Sequence, residues 1–499
     1  MIISVLNASI TDIECDAIVV NLFQGVAAPG GATGAADRAL DGLLSRLIRE
    51  EGFEGKPGQT LLVHTQGRLP AARVILTGLG EPEKLDLDTV RRASAAALRR
   101  ARDARARRVA TIVHGAGAGG MAPARAAQAT VEGAVLGTYE FLKYKSEPQP
   151  RQIEELLVAE MDASRLPSVQ AGVSRGDVVS RAVNLARDLV NSPANDITPS
   201  ALALLATRVA SETGLEALVL ERPEAERLGM GCYLAVARGS QEAPKFITLR
   251  YRPEGEPAGR VAIIGKGVTF DSGGLSLKTA ESMVTMKDDM SGAAAVLAAM
   301  QAVAELRPDR EVLAIVPAVE NMPSGSAMRP GDVVCAMNGK TIEIENTDAE
   351  GRLTLADALC YAAREGCEEL IDLATLTGAC VWALGRVYSG VMSNNQDLVE
   401  RLKECSRVSG DRIWQLPLSE DYRYLIESQV ADMKNTGGRE GGAITAALLL
   451  SEFTEGRPWA HIDIAGPAFL SQDNGVIEKG ASGAGVRLLI EYLCGEPAA

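Results

Sequence analysis

The chain has 499 residues, 46% of them hydrophobic and 23% charged, an ordinary globular composition that excludes disordered, collagenous and coiled-coil classes. Lys and Arg number 51 against 65 Asp and Glu, a net charge of −14, so the chain lacks the concentrated positive field of a general nucleic-acid binder. At roughly 150 residues per domain, the length suggests two or three domains, each with its own core.

The N-terminal run MIISVLNASITDIECDAIVV carries acids and no basic start, so no signal peptide is expected. Short β-branched runs at 2–6, 17–21, 60–63, 73–77 and 109–113 predict strands. Apolar periodicity predicts helices over 36–49, 88–102 and 123–143, the last with proline at a first helical position. Such alternation implies an α/β layer structure with mostly parallel strands. The loop 30–34, GGATG, is either an anion cradle or a plain turn. The basic run LRRARDARARR at 98–108 reads as a solvated helical face. The proline-containing polar segment 144–152 reads as a linker.

The second half is again α/β. Strands are predicted at 260–264 and 311–316 with a helix at 291–306 between them. Strands 332–337 and 341–345 flank Asn338-Gly339, a hairpin signal. A helix at 349–364, a strand at 369–374 and a helix at 443–453 follow. The apolar stretch 443–450 is far short of the ~20 residues of a membrane span. Eight cysteines with no CxxC pair read as reduced, mostly buried thiols of a soluble, cytoplasmic protein.

Acids and glycines gather in three windows. GKGVTFDSGGLSLK (265–278) holds Lys266, Asp271 and Lys278 in a glycine-rich loop after a strand, where open α/β folds bind ligands. MKDDMSG (286–292) places Asp288 and Asp289 just before a helix. ENTDAEGR (345–352) ends a hairpin strand and opens another helix. If that stretch is extended, Asp348 and Glu350 share a face, and such close carboxylates repel unless protons or cations intervene. With Asp271 and Asp289 they make four carboxylates, the donor inventory of a two-metal oxygen site. The plainer alternative is that these acids are helix caps and surface charges. Only three histidines occur, His64, His114 and His461, and no G-x-S-x-G elbow, so a His-rich zinc site or a Ser/His/Asp triad is disfavoured. Gly339-Lys340-Thr341 imitates the end of a P-loop, but Val334 stands where glycine is required.

The windows resemble the leucyl aminopeptidase (cytosol aminopeptidase) family of di-metal exopeptidases. Its signature NTDAEGRL stands unaltered at 346–353, GKGVTFDSGG at 265–274, and the pattern MKxDMSGAAAV at 286–296, with Asp288 in its open position. VNSPANDITP (190–199), LATLTGA (373–379), GGREGGAITAA (437–447) and WAHIDIAG (459–466) are similar to further family segments. The resemblance implies a two-domain α/β fold. Its parts are a smaller macro-like N-terminal domain (1–150), a linker and connecting helix (151–179), and a larger catalytic domain (180–499) with a central mixed sheet. It implies one metal site of Lys266, Asp271, Asp289 and Glu350. A second comprises Asp271, Asp348 with its carbonyl oxygen, and Glu350. Lys278 and Arg352 carry over as the catalytic pair, Arg352 holding a bicarbonate general base. Met286, Asn346, Thr375 and Gly378 carry over as substrate-pocket positions. Two divalent ions (Mn²⁺ or Zn²⁺), a metal-bridging hydroxide, removal of N-terminal leucine or other apolar residues from peptides, and a homohexamer complete the implied picture. Lys266 can coordinate only if the metal displaces its proton. The alternatives kept open are another two-metal hydrolase, such as a phosphoesterase, and a non-catalytic protein binding an ADP-ribose-type ligand.

Overall fold

The computed structural model describes residues 1–148 and 152–495, so residues 149–151 of the expected linker lie outside the described residues. The chain divides into two units, Met1–Asn184 with Gln472–Glu478, and Leu185–Ser471 with Lys479–Gly495. The division falls within the 26-residue helix Leu166–Asn191.

In the first unit, the apolar runs become strands β1 (Ile2–Leu6), β2 (Ala17–Leu22), β3 (Thr60–His64), β4 (Arg73–Gly78) and β5 (Arg108–Ile112), joined by β6 (Glu155–Ala159). The sheet order is β1-β6-β5-β2-β4-β3, parallel except for β3 against β4. The sequence reading missed β6, a five-residue run beyond the polar segment. Helices α1 (Gly31–Ala39), α2 (Leu43–Glu50), α3 (Leu87–Asp103) and α4 (Pro123–Gly137) complete the unit. The helix expected over 36–49 breaks in two because Asp41 and Gly42 take left-handed φ of 53° and 77°. The helix expected to reach 143 stops at Gly137. Helix α4 lies hard against α3: a Cβ on Gly133 would stand 2.2 Å from the Arg91 carbonyl oxygen. Gly30–Gly34 of the glycine loop become the cap and first turn of α1.

The basic run is not a simple solvated face. Leu98 and Ala101 are buried in the core of the unit. Arg99 donates to the Gly137 and Val476 carbonyls and to Asp473, and Arg102 pairs with Glu478. Three of these arginine hydrogen bonds therefore tie the returning segment 473–478 to α3.

The second unit carries a mixed sheet. Its strands are β7 (Glu216–Leu220), β8 (Lys245–Tyr251), β9 (Arg260–Gly265), β10 (Gly267–Asp271), β11 (Glu311–Asn321), β12 (Val333–Cys335) and β13 (Thr341–Glu343). They continue with β14 (Glu369–Ala374), β15 (Ser389–Ser393), β16 (Ile413–Gln415), β17 (Met433–Lys434) and β18 (Trp459–Asp463). The order is β16-β15-β18-β14-β9-β11-β8-β7, with β10 paired to β11; β12, β13 and β17 form a small separate sheet. Strands β18, β14, β9 and β11 run parallel and are mostly apolar and buried, as strands covered by helices on both sides must be, with Asp372, His461 and Asp463 among the buried polar exceptions. The helix Ser291–Leu306 forms at the expected bounds and is buried almost all round by its Ala-rich surface. The α/β class and the mixed central sheet of the larger unit are as expected. Among the described residues no helix is long and apolar enough to cross a membrane. All eight cysteines are free and five are buried; Cys335 is exposed.

Candidate metal centre

The three windows converge at the carboxyl ends of the parallel strands. Lys266 leaves β9 and Thr375 leaves β14, neighbours in register through Gly265 and Leu373. The main chain of Lys266 is pinned on both sides: its N–H donates to the Leu373 carbonyl, and its carbonyl accepts from the Ala293 N–H. Asp271 ends β10 opposite Asn321 at the end of β11. The expected glycine-rich loop is thus partly strand, and β10 gives Asp271 a fixed position. Asp289 sits in the 3-10 turn Met286–Met290 that leads into Ser291–Leu306. Asp348 and Glu350 precede the helix Gly351–Arg364, and Glu350 already has helical φ and ψ of −82° and −34°. The extended pairing of Asp348 with Glu350 is therefore not formed; a tight turn brings them together instead. Carboxylate oxygens of Asp271, Asp348 and Glu350 lie within 4.8 Å of one another.

Glycine is required where side chains crowd in. A Cβ on Gly351 would stand 2.5 Å from Lys266 Cε, so only glycine lets the lysine lie across the start of that helix. Gly273, at a left-handed φ of 85°, turns the chain beside Asp348, whose Oδ1 would be 2.8 Å from an added Cβ.

Two lysines lie among the acids. Lys266 Nζ donates to Asp289 Oδ1 at 2.7 Å and to the Thr375 carbonyl at 3.1 Å, and pairs with Glu350 Oε1 at 2.8 Å. Lys278 Nζ pairs with Asp271 Oδ2 at 2.8 Å and Asp348 Oδ1 at 2.6 Å. Burial pulls both ammonium groups down, but the surrounding carboxylates outweigh it and hold both above the usual lysine range. Burial, with neighbouring carboxylates, raises Asp289, Glu350 and Asp348, and burial pushes Asp288 up to about 6. Burial also lowers the Arg352 guanidinium to about 10.

The cluster is short of positive charge at defined atoms. Asp289 Oδ2 is buried without a partner. The lysine contacts on Glu350 Oε1 and Asp348 Oδ1 are close enough for ion pairs but off the hydrogen-bond axis. Buried carboxylate oxygens left in this state fit hard divalent cations, and an amine among them fits a borderline metal such as zinc or manganese.

The cluster opens into a cavity of about 850 Å³. All eleven expected site residues border it, including Met286, Asn346, Thr375 and Gly378, together with Arg352. Arg352 is buried, donates one terminal N–H to the Asn435 carbonyl at 2.8 Å, and has an unpartnered Nε. Sequence reasoning missed Asn435 and Asn321. Asn435 Oδ1 accepts from the Glu345 and Asn346 N–H groups, while its Nδ2 donates to the Asn346 carbonyl at 2.6 Å, bracing the turn before Asp348. Asn321 Nδ2 donates to Asp271 Oδ1 at 2.8 Å and to the Thr347 carbonyl, joining two of the windows. A lone buried asparagine carries no spacing signal, so neither could be read from the sequence. His461 pairs with Asp372, which also accepts from the Trp459 indole, and His114 bonds Asn21; neither borders the cavity.

A family model described as the cytosol aminopeptidase family, catalytic domain, matches residues 184–490, and one for that family's N-terminal domain matches 19–148. The chain is 43% identical over 491 residues to a probable cytosol aminopeptidase of Alkaliphilus metalliredigens, covering 98% of each chain. It is 46% identical over 483 residues to one of Nostoc punctiforme, covering 96% of each. Among solved structures, a mutant of tomato leucine aminopeptidase aligns with TM-score 0.90 at 37% identity, over 99% of this chain and 97% of that one. The bottromycin maturation enzyme BotP in complex with Mn aligns with TM-score 0.86 at 38% identity, over 96% and 99%.

Proposed function

The chain belongs to the cytosol aminopeptidase family, a family of metal-dependent hydrolases, and from that premise we propose that it removes leucine and other apolar N-terminal residues from peptides with the help of two divalent cations. The observation that carries this reading is the orphaned Asp289 Oδ2 in a set of four carboxylates and one lysine amine, all buried except the half-buried Asp348. Lys266, Asp271, Asp289 and Glu350 would hold one cation, and Asp271, Asp348 and Glu350 the other; Mn²⁺ or Zn²⁺ suits the donors. Such a pair, when bound, supplies Lewis acidity and a water of lowered pKa.

The chain's own groups do the remaining work. The five donor residues carry four negative charges when Lys266 is neutral, which matches two divalent ions and favours loss of the lysine proton. With cations holding the carboxylates, Lys278 is free to turn toward the substrate carbonyl, where its charge stabilises the developing oxyanion. Arg352, buried with an unused Nε, would hold a bicarbonate, which when bound would supply a general base. Met286, Thr375 and Gly378, which border the cavity, would receive the first side chain, with Met286 as the apolar contact, and Asn346 would orient the peptide while its Oδ1 accepts the Asp348 N–H at 2.9 Å. In this reading residues 180–499 carry catalysis and 1–150 form an accessory domain, whose sheet takes β6 from the 151–179 stretch otherwise read as linker and connecting helix. The protein works as a cytoplasmic homohexamer, six times the 52.5 kDa chain mass.

The test is release of leucine from Leu-amide or Leu-p-nitroanilide by Mn²⁺- or Zn²⁺-loaded protein, with p-nitrophenyl phosphate alongside. Leucine release with no phosphate release is expected. Folded protein inactive on both leucine substrates under either metal would overturn the reading.

A further inference from the structure

The cavity wall beside the carboxylate cluster carries a charge that the metal assignment does not use. Asp288 lies on the Met286–Met290 turn, between Met286, the proposed apolar contact, and Asp289 among the proposed ligands. It is partly exposed and borders the cavity, and its carboxylate accepts from its own backbone N–H but is in no ion pair within 4 Å among the described residues. Lys266, Arg386 and Lys278 act on its charge only from a distance, and the nearest cations make their close contacts elsewhere. Lys287 donates to the Asn191 carbonyl at 2.6 Å and lies over the Phe469 ring. Arg386 borders the same cavity but donates to the Phe469 carbonyl and makes no ion pair within 4 Å of Asp288. Trp382, 92% exposed, stands at the same cavity and offers an aromatic face.

An unpaired carboxylate in a partly desolvated wall is unfavourable until a cation meets it. Next to an apolar surface, the complementary group is one with a hydrocarbon stem and a charged tip. We infer that Asp288 extends the substrate range of this site to peptides whose first residue is lysine or arginine, and that it disfavours those beginning with aspartate or glutamate. The stem lies along Met286 and the wall opposite, while the tip meets the carboxylate. The inference rests on the aminopeptidase reading above and deepens it.

The experiment compares kcat/KM of the Mn²⁺-loaded enzyme for Lys- and norleucine-p-nitroanilide, a pair that shares a straight stem and differs in charge. Both are run with wild type and with Asp288→Asn, which keeps the shape. The lysine-to-norleucine ratio is expected to fall about tenfold in Asp288→Asn, with the loss on the lysine arm and relieved discrimination against Glu-p-nitroanilide. The wild-type ratio is expected to fall with added salt as well. An unchanged ratio in an Asp288→Asn enzyme that still turns over norleucine substrate overturns the inference alone. No turnover of any substrate by wild type overturns the aminopeptidase reading and the inference with it.

Discussion

Gly351→Ala changes no metal-binding atom, yet it should disable the site. The added Cβ would stand 2.5 Å from Lys266 Cε and 2.9 Å from both Cδ and Nζ, whereas ordinary contact begins near 3.4 Å. The lysine end must therefore retreat by about 1 Å, and it has little room, because its amine is held by Asp289, Glu350 and the Thr375 carbonyl in a buried site. A displacement of about 1 Å at a catalytic constellation costs on the order of 100-fold in rate. Overpacking costs about 1–3 kcal/mol, partly offset by the better helix propensity of alanine, so the protein should stay folded. The assay is kcat/KM for Leu-p-nitroanilide with Mn²⁺, together with metal content after gel filtration. Gly325→Ala, where an added Cβ meets nothing within 4 Å, serves as the control. The expected result is a roughly 100-fold loss and weakened retention of one ion in Gly351→Ala alone. Full metal content and activity within about twofold of wild type would refute the reasoning.

Lys278→Met keeps the stem and removes the charge, and it should lower kcat by about 100-fold with little change in metal content; normal kcat would remove Lys278 from catalysis. Glu132 pairs with Arg91 at 2.6 Å inside the first unit, both fully buried. Glu132→Gln should therefore cost about 3 kcal/mol in denaturant unfolding by leaving the Arg91 charge undercompensated; a loss under 1 kcal/mol would contradict the pairing's weight. Burial lowers His114 to about 4 from an ordinary value near 6.5. A histidine depressed in the folded state binds protons more readily when unfolded, so the stability it contributes is present above pH 6.5 and lost as pH falls toward 4. The loss is on the order of 3 kcal/mol, and thermal unfolding of His114→Gln should show a flatter acid limb than wild type; coincident limbs would show that the histidine does not titrate there.

The residues of the site were legible because its chemistry needs unusual side chains at element junctions. Glycines beside Lys266 and after Asp271 and Glu350 mark backbone that other groups approach closely, and the crowding at Gly351 and Gly273 is the physical cause of that pattern. The braces were not legible. Asn321 and Asn435 act through contacts made across long sequence separations, and each is a single polar residue in an unremarkable stretch. The α/β alternation was legible from strand-like runs, whereas β10 was hidden because flanking glycines made it resemble a loop. Asp41-Gly42 split a periodic helix, since apolar spacing does not register two left-handed residues. The conformation of Glu350 depended on where the following helix began, which periodicity places only to within a residue or two.

The central claim is that five side chains from separate strand ends and turns enclose a pair of divalent cations. Anomalous diffraction from crystals of the Mn²⁺-loaded protein tests it directly. Two peaks are predicted, each about 2–2.4 Å from its ligands, one reached by the amine of Lys266 and both by Asp271 and Glu350. A single peak, or density away from these side chains, would contradict it.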